Sequence, residues 1–149
     1  MANYAENRKA RFDYEILEKY EAGIELLGSE VKSVRGGRMS LEGAFVVIRG
    51  GEAYLINSNV PAYQPKNAPK DYDALRNRRL LLTQKEINEL SGGEKNKSLT
   101  VVPMSVYNKN RKIKVEIAQV KGKKTHDKRQ SIQKRETDRD IRREFRGKE

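Results

Sequence analysis

Apolar and polar positions alternate along this chain in short blocks, and most blocks carry the period of a strand. From Phe12 to Leu27 the residues FDYEILEKYEAGIELL are rich in β-branched and aromatic side chains, which predicts a long, bent strand. Its imperfect alternation leaves a helix as the alternative. Gly28 and Ser29 then offer an N-cap, and Leu27, Val31 and Val34 recur at three-to-four spacing until Gly36 and Gly37 stop the pattern. A short helix is predicted there, with Lys32 and Arg35 on its exposed face. Ala44 to Asn57, AFVVIRGGEAYLIN, reads as two strands about Gly50 and Gly51, which can take the positive φ values that a two-residue hairpin turn demands.

The stretch NVPAYQPKNAPKDYDALRNRR holds Pro61, Pro65 and Pro69 and cannot supply regular ladder donors, so it is a long loop, and loops of that length are uncommon unless functional. Thr83 to Glu86 forms a capping box that starts a helix with Ile87 and Leu90 on its buried side and Gly92-Gly93 as its termination. SLTVVPMSVY and RKIKVEIAQV follow as two strands about a polar NKN turn. Lys112, Lys114 and Glu116 alternate there with Ile113, Val115 and Ile117, giving one wet and one dry face. Short hairpin-joined strands outnumber helices, and nothing alternates strand with helix as a parallel sheet would. The expected fold is mainly β: a small antiparallel barrel with helices packed outside it.

Composition adds a partner class. The chain has 149 residues with 32 Lys and Arg against 21 Asp and Glu, a formal charge of +11, so a polyanion is the expected partner. With 36% apolar residues, one compact barrel can be filled but not the whole length. The absence of cysteine excludes disulfides, thiolate metal sites and cysteine nucleophiles, and suits a reducing cytoplasm. No apolar run approaches the roughly 18 residues that a membrane span needs, and the start lacks the apolar region of an export signal. A cytoplasmic protein with no metal, no cofactor and no membrane partner is expected.

From Gly122 to Glu149 the pattern changes: eleven basic residues face six acidic ones, a net +5, and Ile132, Ile141 and Phe145 form no stripe. Lys124, Lys128, Arg135, Arg139, Arg142 and Arg146 fall within about 80° of one another on a helical wheel, a basic ridge with no core-facing side. Pairs such as Asp138 with Arg142 add only about 0.2–0.5 kcal/mol each. The expectation is therefore a body of residues 1–121 and a tail of residues 122–149 that is disordered when free and helical once RNA neutralises the ridge. A plain solvating tail is the alternative.

NRKARFDYEILEKYEAGIELLGSEVKSVRGG, then LRNRRLLLTQKEINEL, then VKGKKTHDKR closely resemble, in that order and over almost the whole chain, the SmpB family of SsrA-binding proteins. YEAG, EVKS, the R-x-R-x-L-L-L run, GKK and HDKR in succession make the resemblance specific. It implies an oligonucleotide-binding-type barrel that grips the tRNA-like part of transfer-messenger RNA and takes it to stalled ribosomes. There the nascent chain is tagged, while the tail occupies the decoding centre and the empty messenger channel against 16S rRNA of the small subunit. The resemblance places Glu21, Leu81 and Lys114 at the RNA, makes Gly122 the tail hinge, and sets His126 where it can stack on a decoding-centre base, with Asp127, Lys128 and Arg129 completing the DKR element. Lys123, Lys124, Arg135, Arg139 and Arg142 belong to the same tail site; beyond Ile132 only the charge pattern carries over.

The residues add candidates of their own. Arg8, Lys9, Lys32, Arg76, Arg78 and Arg79 could neutralise phosphates, or be ordinary surface charge. Glu21 is unusual beside RNA and must accept from a base or orient a neighbouring cation, unless its role is structural. Tyr20 and Tyr63 could stack on bases, although tyrosine in a strand is more often half-buried packing. His126 has no recognisable second acid, base or metal cluster, so catalysis is not expected. A monomeric adaptor bound to RNA is the reading, against a generic single-stranded-RNA or ribosomal barrel protein and an RNA-processing enzyme.

Overall fold

The computed structural model describes residues 3–64, 66, 69–94 and 99–122. Its elements run β1 (Asn3–Glu6), α1 (Arg8–Asp13), β2 (Tyr14–Ile24), α2 (Gly28–Arg35), β3 (Phe45–Arg49), β4 (Glu52–Ile56), β5 (Arg78–Leu81), α3 (Gln84–Glu94), β6 (Leu99–Lys109) and β7 (Lys112–Gly122). All strand pairings are antiparallel, and the order β6-β3-β4-β5-β2-β7 returns to β6 through the β6–β7 ladder. That closes the sheet into the expected barrel. One edge of β6 is divided: β3 joins it at Val46 opposite Val101, and β1 lies further along, with Ala5 opposite Val106.

Two irregularities bend the long strands, one between Ile16 and Glu18 in β2 and one between Pro103 and Ser105 in β6. Pro103 has no N–H to give a ladder, so a break in register is where it fits. Inside the ring, Ala22, Val46, Leu55, Leu80, Val106, Val115 and Ile117 pack together with Val34 of α2 and Leu90 of α3. A second cluster, Ala10, Val102, Met104, Ala118 and Val120, lies beneath α1. Asn7 anchors that helix: its side chain accepts from the Ala10 amide at 3.2 Å and donates to the Pro103 carbonyl at 2.9 Å.

The β3–β4 hairpin turns on Gly50 and Gly51, both at positive φ, as the sequence requires. The Thr83 hydroxyl accepts from the Glu86 amide at 3.2 Å and the Glu86 carboxylate accepts from the Thr83 amide at 3.0 Å, the reciprocal cap of α3. Other expectations are corrected. Phe12 belongs to α1 and the strand after it ends at Ile24, so Glu25 to Leu27 lie outside it. Helix α2 takes Leu27 as its N-cap, because Glu30 reaches back to the Leu27 amide at 2.8 Å and makes a Gly28 or Ser29 cap unnecessary. Helix α3 continues through Gly92 and Gly93 to Glu94. The β6–β7 turn is Asn110 and Arg111, both at positive φ, so Asn108 and Lys109 still belong to the strand. Among the described residues no helix is long and apolar enough to cross a membrane.

Candidate nucleic-acid interface

In β2 the small residue Ala22 faces the core, and its neighbours Glu21 and Gly23 therefore face out. Register across the sheet then sets Gly23 opposite Lys114 and Lys114 opposite Tyr107, with Glu21 one step along, opposite Glu116. The Tyr107 hydroxyl donates to Glu21 Oε2 at 2.5 Å, and Lys109 Nζ lies 3.2 Å from Glu21 Oε1. Hydrogen bonds from Tyr107 and Lys109, with the charges of Lys109 and Lys114, hold the Glu21 carboxyl below the usual carboxylate range. Burial and the facing carboxylate push the Tyr107 phenol up. Glu21 is thus a fixed, exposed, ionised acceptor whose charge is offset by lysines.

Beside it runs a groove of about 340 Å³ lined by Gly23, Leu81, Arg35, Arg111, Lys112 and Lys114 among others. Leu81 is 47% exposed, an apolar side chain set among cations. Gly23 makes room for it: a Cβ added there would stand 3.2 Å from the Leu81 Cβ. An Arg35 guanidinium nitrogen donates to the Arg111 carbonyl at 3.2 Å, tying α2 to the β6–β7 turn. Glu21, Leu81 and Lys114, far apart in sequence, thus share one face.

The other candidates are dispersed. Arg8, ion-paired with Glu6 at 3.7 Å, and Lys9 sit on α1, and Lys9 lines a separate groove with Phe45 and Thr100. Lys32 projects from the opposite side of α2 toward Tyr63. Arg79 is partly exposed but bridged to Glu52 at 2.7 Å and Glu25 at 3.1 Å. Arg78 is a correction. It is 0% exposed, and its guanidinium donates to Glu30 Oε2, to the Ser58, Arg76 and Ala74 carbonyls and to the Ser58 hydroxyl, which leaves no donor for a phosphate. Arg76 meets the same Glu30 carboxylate. Burial alone would raise the Glu30 pKa, but Arg76, the Leu27 amide and Arg78 together lower it from 4.5 to about 2. Tyr20 also turns to structure: its ring packs against the core and its hydroxyl donates to Glu89 at 3.1 Å.

Sequence reasoning missed Tyr107, Lys109, Glu30 and Tyr72. One signal was available for Arg78: in the run RRLL, alternation with buried Leu80 puts Arg78 inside and Arg79 outside. Gly122 ends β7 opposite Tyr14. Lys123, Lys124, His126, Asp127, Lys128, Arg129, Arg135, Arg139 and Arg142 lie outside the described residues.

Residues 4–147 match the family described as SmpB protein. The chain is 51% identical over 144 residues to the SsrA-binding protein of Sulfurihydrogenibium sp. (strain YO3AOP1), covering 97% of this chain and 94% of that one. It is 49% identical over 138 residues to the SsrA-binding protein of Gloeothece citriformis (strain PCC 7424), covering 93% and 89%. A solved chain described under "tmRNA-SmpB: a journey to the center of the bacterial ribosome" is similar at 45% identity with a TM-score of 0.67, over 80% of this chain and 84% of that one.

Proposed function

The chain belongs to the SmpB protein family, and from that premise we propose that it binds transfer-messenger RNA, the SsrA RNA, and acts with it on the ribosome in the rescue of stalled translation. The observation that carries the reading is the convergence of Glu21, Leu81 and Lys114 on one exposed face, supported by likeness to SsrA-binding proteins over nearly the full length. Lys114, Lys112, Arg111 and Arg35 neutralise backbone phosphates, contacts that give affinity and salt dependence without reading sequence. Leu81 offers an apolar contact. An ionised carboxylate has about four lone-pair sites, and Tyr107 and Lys109 leave part of that capacity in Glu21 for an RNA N–H or 2′-hydroxyl. The lysines beside it offset its repulsion from phosphate. Such a surface recognises a folded RNA by shape.

The protein is an adaptor in this reading, not a catalyst, and works in the cytoplasm where ribosomes are. Glu21 and Glu30 both have lowered pKa values and so hold no proton near neutrality for general acid chemistry. The body of residues 1–121 holds the RNA, and the basic segment 122–149, through Lys123, Lys124, His126, the DKR residues and the arginine ridge, acts at the decoding centre and messenger channel of the small subunit. Its support is the charge pattern of the sequence and the HDKR resemblance. Truncation after Lys121 tests the division of labour. Binding to transfer-messenger RNA in a filter assay is expected to stay within about threefold of the full chain, since most phosphate contacts remain, while tagging on stalled ribosomes is lost. Equal loss of both activities contradicts it.

A further inference from the structure

Helix α2 separates two clefts. Val31 and Arg35 line the groove with Leu81 and Lys114, whereas Ser29 and Lys32 line a cleft of about 270 Å³ on the other side, closed by Ala62, Tyr63, Pro69 and Tyr72. We propose that this second cleft holds one unpaired RNA nucleotide, its base stacked on Tyr63 and its phosphate against Lys32 and Arg38. The inference rests on the RNA-binding reading above and adds a site to it.

Tyr63 is 40% exposed, on a backbone that is itself pinned down. An Arg38 guanidinium nitrogen donates to the Tyr63 carbonyl at 3.3 Å, and the Ser33 hydroxyl donates to the Pro61 carbonyl at 2.7 Å. The Tyr72 hydroxyl donates to the Val60 carbonyl at 2.7 Å, and Asn59 bridges to Ser40. An aromatic plane is thereby presented to solvent with little entropy left to lose on binding. Lys32 Nζ and Arg38 Cζ stand 5.7 and 5.9 Å from the ring centroid, close to the ~6 Å limit of a cation–π contact, so Lys32 can yield the ring to a base and turn to its phosphate, while Arg38 keeps its bond to the Tyr63 carbonyl and offers its remaining N–H groups.

Charge suits the cleft to an anion, as it does the groove with Lys114. Arg76, Arg78, Arg79 and Lys109 are each neutralised by a carboxylate, but among the described residues neither Lys32 nor Arg38 has one. Two unneutralised cations over an exposed ring fit an anion that carries a planar group. The volume is below the ~300–1,000 Å³ of pockets that enclose a drug-sized ligand, which suits a single base and not a cofactor. Glu30 sets the cleft's shape from behind: Tyr72, in its wall, lies 3.1 Å from the Glu30 carboxylate that also holds Arg76 and Arg78.

The nucleotide could belong to transfer-messenger RNA or to ribosomal RNA, and the test separates them. Full-length protein, Tyr63→Leu, Tyr63→Phe and Lys114→Ala are compared for affinity toward transfer-messenger RNA alone and for recruitment of that complex to stalled ribosomes, with ultraviolet crosslinking at Tyr63 in both. Unfolding temperatures of the Tyr63 variants check that the exposed site leaves the fold intact. Tyr63→Leu is expected to weaken one of the two complexes about tenfold, the scale of one lost stacking contact. Tyr63→Phe, which keeps the ring, should restore it to within about twofold, and the wild-type Tyr63 peptide should carry a crosslinked nucleotide. Loss with RNA alone assigns the nucleotide to transfer-messenger RNA, and loss only on the ribosome assigns it to ribosomal RNA. If neither complex changes while Lys114→Ala weakens RNA binding, the cleft is idle and the proposed function stands. Weakening only on the ribosome and without a crosslinked nucleotide would put an acidic polypeptide in the cleft and overturn the proposal, as would weakened affinity for the RNA alone that Tyr63→Phe does not restore. If Lys114→Ala is also without effect, the RNA-binding reading fails and the site with it.

Discussion

Glu21 and Glu30 each meet a tyrosine hydroxyl and basic side chains, yet one lies at the surface and the other is sealed inside the protein. Glu21, with Tyr107 and Lys109, has a 37% exposed side chain on the outer face of β2. Glu30, with Tyr72, Arg76 and Arg78, is fully covered and ties α2 to the chain that follows the proline-rich loop. The chemistry is nearly the same and the consequence is not. At the surface, water screens the charges, so the cluster contributes little to folding and stays open to a ligand. In the interior, every lone pair and N–H must be met from within the protein, and the described residues leave no buried side-chain polar atom without a partner. That cluster has nothing left for a ligand; its work is to hold the loop.

The comparison breaks first at Glu30. Glu30→Ala leaves the buried Arg78 charge uncompensated, and a loss of about 3–5 kcal/mol in unfolding free energy is expected from urea titration. A loss below about 1 kcal/mol would mean that the interior cluster is no more than a surface pair. Acid is the next largest lever. Folding lowers the Glu30 pKa from 4.5 to about 2, so between those values the unfolded chain binds more protons than the native one. The stabilisation, up to about 3 kcal/mol, is complete above the unfolded value and drains away as pH falls through the folded one. Urea unfolding of the wild type at pH 6 and pH 3 should show about 2 kcal/mol of that loss, the part that falls between 4.5 and 3, and Glu30→Gln should flatten it.

Much of the scaffold was legible because its signals are local. Gly50-Gly51 and the Thr83–Glu86 box each act within four residues, and both stand as read. The same locality misled at Gly92-Gly93, where a continuing helix overrides a stop signal, and at the NKN turn, which slides to Asn110 and Arg111. Strand β1 and helix α1 escaped notice because they are short and their anchors are remote: Asn7 bonds the Pro103 carbonyl 96 residues away. Arg76, Arg78 and Glu30 are 46 and 48 residues apart, so nothing within a window of sequence pairs them. Three arginines in a row of four positions therefore read alike, as phosphate ligands or plain surface charge, and the fold distributes them among an interior clamp, its rim and a surface bridge. Glu21 was singled out by resemblance; its partners Tyr107 and Lys109 lie 86 and 88 residues further along the chain.

Smaller effects sharpen the contrast. Glu21→Ala should cost less than about 1 kcal/mol in stability, as exposed pairs do, yet weaken transfer-messenger RNA binding about tenfold, the worth of a hydrogen bond to a charged group. A filter-binding titration beside a thermal melt reads both, and the reverse order of effects would exchange the roles given to the two glutamates. Smallest is Gly23→Ala. Its new Cβ presses on the Leu81 Cβ, which is fixed to the β5 backbone, and on the Leu81 Cδ1, which can rotate away, so the paired strands must give by a few tenths of an ångström and stability should fall by less than about 1 kcal/mol. RNA affinity should fall about two- to threefold because an apolar contact in the groove is displaced. A loss of stability without loss of affinity would take Leu81 out of the interface.

The account turns on whether this barrel selects one structured RNA. The most direct measurement is competition at about 0.15 M salt, a screening strength at which charge alone discriminates poorly, between labelled transfer-messenger RNA and an unrelated structured RNA of equal length. The full chain is expected to hold transfer-messenger RNA against at least about a thousandfold excess of the competitor, the lower end of the range that separates specific from non-specific nucleic-acid binding. Equal displacement by the two RNAs would contradict the account and leave a barrel that binds RNA only through its charge.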